Sequence, residues 1–326
     1  MKAAIIGLGN IGRVHAKVLA LSGVEIAALC DVDSERAERI RDEFAPTARV
    51  YGDYKEMVER EAVDAVHICT PHDLHAEMVI YLLSRGVNVL CEKPLCINER
   101  ELESVIEAAK KSTATLGFCH QNRYNPATLF AREYLKNKNV VGGHGSVVWH
   151  RDEKYYAESP WRASIERAGG GALINQALHT LDLCQWLCGE PRGVIARADN
   201  ISHKGIIEVE DTLTAIFSEG GEFTFFATTA STCDLPITVS IRLEDGEKLM
   251  LLPHAVTVNG RTVFEEEPRE LHGKACYGSS HETLVKDFYS CIENGRRFPI
   301  GAEEAARVMR LIFAAYQSNG EKINVG

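Results

Sequence analysis

Several features are missing from the chain, and each absence narrows its class. No apolar run is long enough to cross a bilayer as a helix. Ten cysteines are present, yet none forms a C-x-x-C pair or a regular framework, which argues against a disulfide scaffold or zinc ribbon. Reduced thiols in a cytoplasmic protein are the expectation. Cys30, Cys69, Cys91 and Cys119 each close an apolar run, as small buried side chains do. Cys184 and Cys188 are one helical turn apart and read as core residues rather than half a metal site. There is no H-E-x-x-H, no internal repeat and no low-complexity tract. Basic residues are scattered and outnumbered, 36 against 46 acids for a net charge of −10, so nucleic acid is not an expected partner. The apolar N-terminus meets Gly7 where a signal peptide would continue, and it reads as a buried strand.

What is present is an ordinary globular mix, 45% apolar and 25% charged over 326 residues, enough for two domains. In the first 120 residues, short apolar runs ("KAAIIG", "EIAALC", "AVHICT", "NVLCE", "TLGFC") alternate with helical patterns. Strict alternation implies a parallel sheet with helices on both faces. The first run leads into Gly7-Leu8-Gly9-Asn10-Ile11-Gly12, a G-x-G-x-x-G turn between a strand and a helix. Such a turn lets backbone approach a pyrophosphate at a helix N-terminus. Asp31 follows Gly12 by 19 residues, where a carboxylate can hydrogen-bond the adenosine ribose and repel a 2′-phosphate. NAD is therefore expected over NADP, with Arg36 keeping the NADP option open. A purely structural glycine turn is the competing reading.

Ligands of such sheets bind at the carboxyl ends of the strands. There the chain places Thr70-Pro71-His72, with His75 in the next helical turn, and Glu92-Lys93-Pro94. Proline restrains the preceding lysine, although a solvated loop lysine would read the same way.

From about residue 145 the pattern changes to alternating runs ("GSVVWH", "GVIARAD", "DTLTAIFS", "EFTFFATTAS", "ITVSIRLED", "EKLMLLP", "AVTVNG"), which predict an antiparallel sheet. Helices are expected at about 126–137, 172–188, 281–294 and 302–318. Gly169, Gly170 and Gly171 stand before a mostly apolar helix, which suggests close approach of a ligand to backbone or a flexible loop. On that helix Asn175, His179 and Asp182 share one face. Polar groups on a buried helix need partners, so His179 is either a satisfied core histidine or a functional one. Zinc held by His179 and Asp182 is poorly supported without further ligands, and Asp182 is expected to brace the helix by pairing with a neighbour.

Taken together, "GLGNIGRVHA", "CDVD", "TPHDLH", "CEKP", "QNRYNP", "GGGALINQALHTLDLCQWL" and "YGSSHETLVKDFY" resemble the glucose–fructose oxidoreductase / inositol dehydrogenase (Gfo/Idh/MocA) family along essentially the whole chain. The resemblance implies an α/β architecture. A Rossmann NAD-binding domain, 1–121, precedes an α/β domain, 122–326, whose large, mostly antiparallel sheet binds substrate on one face and makes a homodimer or homotetramer with the other.

By the same resemblance Lys93, His179 and Asn175 are catalytic. His179 takes the hydroxyl proton, Lys93 faces the developing alkoxide, and Asn175 orients substrate or imidazole. Many members carry aspartate at the position of Asn175, and an amide there is expected to leave the histidine less basic. Cofactor contacts are implied for Gly7, Gly9, Asn10, Ile11, Gly12, Asp31, Thr70, Pro71, His75, Glu92, Lys93, Gln121, Trp161 and Arg162. Substrate contacts are implied for Asn122, Arg123, Tyr124, Arg151, Asp152, Asn175 and His179, with Lys154 nearby and Tyr277 closing over the ligand. His281 reads as structural. The implied activity is a NAD-dependent oxidation of a sugar, sugar derivative or cyclitol at a secondary hydroxyl. The alternatives are glycoside cleavage through transient C3 oxidation with retained NAD, and a non-catalytic NAD-binding regulator.

Overall fold

Lys2–Ile6 (β1) is buried from Ala3 onward, as befits a strand covered on both faces. Around it lie Glu25–Cys30 (β2), Arg49–Tyr51 (β3), Ala65–Ile68 (β4), Asn88–Cys91 (β5) and Leu116–Phe118 (β6). They form one parallel sheet in the order β3-β2-β1-β4-β5-β6. Helices Asn10–Leu21 (α1), Ser34–Phe44 (α2), Tyr54–Arg60 (α3), His75–Ser84 (α4) and Glu99–Lys111 (α5) link the strands. The strand order reverses between β1 and β4, which makes the ends of those two strands the switch point of the sheet. Asp33 and Asp53 cap α2 and α3 by accepting the backbone N–H of Arg36 and Glu56. The N-terminus of α1 has no side-chain cap. The computed structural model describes residues 1–267 and 280–326.

A second unit follows from Asn122. Its helices are Pro126–Tyr134 (α6), Glu153–Ala157 (α7), Ile165–Ala168 (α8) and Leu178–Cys188 (α9). Its strands are Val140–Val148 (β7), Gly193–Asp199 (β8), Thr212–Ser218 (β9), Phe223–Thr228 (β10), Thr238–Leu243 (β11), Lys248–Leu251 (β12), Ala255–Val258 (β13), Arg261–Glu265 (β14) and Ile323–Asn324 (β15). They order as β14-β13-β12-β11-β7-β10-β9-β8-β15, antiparallel except where β7 meets β10. Helix α9 lies against β7. A Cβ on Gly145 would sit 2.4 Å from Cys184 Sγ, and one on Gly143 2.7 Å from Cys188 Sγ. Both thiols are free and buried, the core role expected for them.

The domain boundary departs from a single cut at 121/122. Helix Ser280–Glu293 (α10) and the chain up to Ala305 belong with the first unit, and most of Ala302–Ser318 (α11) belongs with the second. The cause is aromatic packing. Phe288 and Phe298 fill the space over Gly117, where a Cβ would meet Phe298 at 2.7 Å, and Phe118 donates its N–H to Ile300 O at 2.9 Å. Strands β3, β14 and β15 were also not anticipated. Among the described residues no helix is long and apolar enough to cross a membrane.

Candidate functional site

In the first unit the glycine turn divides into positions the protein requires and one it does not. A Cβ on Gly12 would lie 2.0 Å from Gly7 O, so strand and helix meet there without room for a side chain. Gly7 has φ +85°, the left-handed region. Gly9 differs, because beyond its own chain neighbours no protein atom lies within 4 Å of where its Cβ would be. It opens onto a cleft of about 280 Å³ lined by Leu8, Asn10, Arg13, Arg36 and Arg39 among others. An uncapped helix start beside a glycine with open space over it fits a pyrophosphate.

Asp31, at the end of β2, is buried. Its carboxylate accepts N–H groups from Leu8 at 2.7 Å and Asp33 at 2.9 Å, and meets Arg36 at 3.3 Å. Every arginine of the cleft has a carboxylate beside it: Arg36 meets Asp33 at 3.0 Å as well as Asp31, Arg39 meets Glu35 at 3.7 Å, and Arg13 meets Glu43.

Thr70 and Pro71 follow β4, with the Thr70 hydroxyl 3.7 Å from Met78 Sδ. Two residues expected at the cofactor hold the loops around them. His75 is fully buried, with Nδ1 2.7 Å from Pro94 O and Nε2 2.9 Å from Thr70 O, and burial pushes its pKa down. Its ring thereby ties the loop after β4 to the one after β5. Glu92 is buried against His15 at 3.1 Å and His281 at 3.6 Å, its carboxylate inside this unit. Lys93 lies between Glu92 and Pro94, half-buried, its peptide bond to Pro94 cis. Gln121 is buried at the end of this unit. His281 is buried too.

In the second unit the three glycines are required by the protein itself. A Cβ on Gly169 would lie 2.7 Å from Ile97, on Gly170 2.2 Å from the Tyr316 hydroxyl, and on Gly171 1.9 Å from Glu210 O. The Glu210 carboxylate accepts Gly171 N–H at 2.7 Å, Leu173 N–H at 2.8 Å and the Tyr316 hydroxyl at 2.9 Å. Burial pushes its pKa up despite these bonds. The clamp starts a π-helical turn, Ala172–Ala177, that runs into α9. The segment expected as one regular helix is thus widened at its first turn, a form often found at functional sites. It carries Asn175, and His179 follows in α9; both are half-buried.

Around the π-turn, Arg151 donates to Gln176 at 3.3 Å and to Asp234 at 3.2 Å, and Gln176 donates to the Tyr155 hydroxyl at 2.7 Å. The Arg162 guanidinium lies 4.5 Å from the Tyr155 ring centre and 5.6 Å from that of Trp161. Gln176, Tyr155 and Trp149 escaped the sequence reading, although "WHRDEKYY" carried the aromatic signal.

Three residues expected at the substrate have partners or a pocket within this unit. Arg123 is buried and bound through two nitrogens to Asp182, at 2.7 and 2.6 Å, and lies over Trp186. The pair shows how Asp182 braces its helix, and it commits the carboxylate weighed earlier as a zinc ligand. Asp152 caps α7 by accepting Tyr155 N–H at 2.9 Å. Asn122 faces a small pocket shared with Asn125, Thr128 and Thr180. Tyr124 is half-buried, and Tyr277 lies outside the described residues.

Comparison with known proteins places this architecture. The family model described as "Oxidoreductase family, NAD-binding Rossmann fold" matches residues 1–120, and the Gfo/Idh/MocA C-terminal domain matches residues 139–247. Inositol 2-dehydrogenase of Salmonella typhimurium is 30% identical over 197 residues, which span 58% of this chain and only 55% of that protein. D-xylose 1-dehydrogenase (NADP(+)) 2 of Haloferax volcanii is 26% identical over 98% of this chain and 97% of its own length. The crystal structure of the WlbA dehydrogenase from Bordetella pertussis, in complex with NADH and UDP-GlcNAcA, shares the fold with a TM-score of 0.86 at 22% identity, covering 100% of this chain and 98% of that one. The chain belongs to the Gfo/Idh/MocA family of oxidoreductases with an NAD-binding Rossmann fold.

Proposed function

We propose that the chain is a NAD-dependent dehydrogenase moving a hydride between a secondary hydroxyl carbon of a sugar, sugar derivative or cyclitol and nicotinamide C4. The observation that carries this reading is the open space over Gly9 at the uncapped start of α1, beside the Asp31 carboxylate. Gly7 to Gly12, Asp31, Thr70 and Pro71 are the proposed cofactor cradle, with Lys93, Gln121, Trp161 and Arg162 as further contacts. Because each arginine of the cleft already faces a carboxylate, a 2′-phosphate gains little there, and NAD is the preferred form.

When bound, the nicotinamide supplies the hydride acceptor or donor. The rest of the chemistry belongs to the chain. His179 holds the hydroxyl proton at its imidazole as the carbon changes oxidation state. Lys93 offers an ammonium to the oxygen as charge develops. Asn175, on the clamped π-turn, orients the alcohol or the ring. Arg151, Tyr124, Asn122, Gln176 and the aromatic faces of Tyr155 and Trp161 suit a polyhydroxylated ligand, and the named inositol and xylose dehydrogenases support that substrate class.

The test is NADH absorbance with a panel containing myo-inositol, D-xylose, other free sugars, sugar acids and glycosides. At least one alcohol is expected to reduce NAD. No NADH from any member contradicts the reading, and glycoside cleavage without net NADH moves the same residues to a transient-oxidation mechanism.

A homo-oligomer through the second sheet is part of the proposal. Ile195, Ile216, Thr224, His144, Ser240 and Met250 form one register row across six strands. Ile195, Ile216 and Met250 are 39%, 54% and 41% exposed, so apolar side chains flank the polar middle of the row, a mixed face suited to a second copy. Sedimentation of a monomer would contradict it.

A further inference from the structure

A buried chain of side chains in the first unit leads to Lys93. The Tyr289 hydroxyl, on α10, lies 3.0 Å from His67 Nε2, and His67 Nδ1 lies 2.7 Å from His15 Nδ1. His15 Nε2 lies 3.1 Å from Glu92 Oε1, and Glu92 Oε2 accepts the backbone N–H of Lys93 at 3.2 Å. None of the four side chains belongs to a residue more than 5% exposed.

Two proton orders satisfy this chain, and they differ in the charge of His15. Burial holds the His67 pKa well below its ordinary value, so the ring is neutral with one N–H. Burial alone would raise the Glu92 carboxyl, but the hydrogen bonds from His15 and His281 hold it well below the usual range, so it only accepts. Burial, and then Asp64, push the Tyr289 hydroxyl up, so it keeps its proton. His67 is the hydrogen-bond neighbour of that hydroxyl among the described residues. A neutral His15 that donates Nε2–H to Glu92 leaves its Nδ1 to accept His67 Nδ1–H, and His67 Nε2 then accepts the Tyr289 hydroxyl proton; the reverse order requires a His15 imidazolium. Bonds running in one sense polarise one another.

We propose that His15 is a positioning residue for Lys93, fixing through Glu92 the peptide that carries the lysine. On the other side His75 holds Pro94 O at 2.7 Å, so the lysine projects from a segment pinned at both ends. The proposal rests on the reading of Lys93 as catalytic. The ligand atoms of His15, Glu92 and His281 also lie within 4.8 Å of one another, close enough to share a cation. The one-way chain favours the hydrogen-bonded arrangement, because it puts a proton on His15 Nε2.

Long-range 1H–15N correlation on the intact, 15N-histidine-labelled protein reads the tautomers. His15 protonated at Nε2 and His67 at Nδ1 are expected; the opposite tautomers, or one equivalent of zinc in the protein as purified, overturn the chain. In the NADH assay with the fastest alcohol of the panel, His15→Ala is expected to lower kcat on the order of 100-fold with KM for NAD unchanged. It should add nothing on a Lys93→Met background. An unchanged kcat, or losses that multiply, overturns the positioning role. Turnover kept by Lys93→Met alone overturns the catalytic reading of the lysine, and the tautomers then still decide the chain. The wrong tautomers with Lys93→Met inactive overturn the inference alone.

Discussion

The guanidinium of Arg123 and the carboxylate of Asp182 meet through two hydrogen bonds of 2.7 and 2.6 Å, with both residues buried. Removing one partner leaves the other charge buried without compensation, which costs far more than the pair contributes. Asp182→Ala is expected to lower unfolding free energy by about 3–5 kcal/mol, whereas Arg123→Met with Asp182→Leu recovers most of it. Denaturant unfolding checks this; a loss for Asp182→Ala below about 1 kcal/mol would mean that the pair behaves like a surface ion pair.

Gly171 and Gly9 are expected to respond oppositely to alanine. At Gly171 the new Cβ meets Glu210 O at 1.9 Å, and overpacking of this kind costs about 1–3 kcal/mol. At Gly9 there is space, so Gly9→Ala keeps its melting temperature and loses NAD affinity. Thermal melts with and without NAD separate the two. A melting loss at Gly9, or none at Gly171, contradicts the division between glycines needed by the fold and the one left for a ligand.

Acid should unfold the second unit partly through Asp211. Burial would raise this carboxyl, but N–H groups of Ile201 and Ser202 and the ring of His203 lower it on balance. A depressed folded-state pKa contributes stability that is present above the ordinary carboxylate value and lost as pH falls through the folded one. Asp211→Asn is therefore expected to flatten the fall in melting temperature below about pH 4. An unchanged acid slope removes Asp211 from the account.

Asp31→Ser tests cofactor choice. Losing an ionised acceptor for the ribose is worth about 1.5–3 kcal/mol, or roughly tenfold or more in NAD affinity, and it also removes a repulsive charge. Titration by NADH fluorescence should show NAD weakened and the NAD/NADP preference narrowed. A preference that stays unchanged would place discrimination elsewhere.

The first sheet was legible because its strands are continuous apolar runs, and the glycine turn because it sits between such a run and a helix. Short edge strands such as β3, three residues long, carry too little pattern to stand out. The π-turn was hidden because "ALINQA" has the apolar content of an ordinary helix. What widens it is Glu210 and Tyr316, 37 and 142 residues away from the groups they bind. Asp182 needing a partner was readable from burial; that the partner would be Arg123, 59 residues earlier, was not. His75 and Glu92 follow strand ends, where a supporting residue and a contacting one look alike in sequence.

The most direct measurement is hydride tracing. A panel alcohol deuterated at its secondary carbon is incubated with the protein and NAD, and the isolated NADH is analysed for deuterium at C4. The account predicts one deuterium per NADH formed, with both signals cut to a small residual rate in His179→Ala and in Lys93→Met while NAD still binds. Product without deuterium in NADH, or label transferred undiminished by both variants, would contradict it.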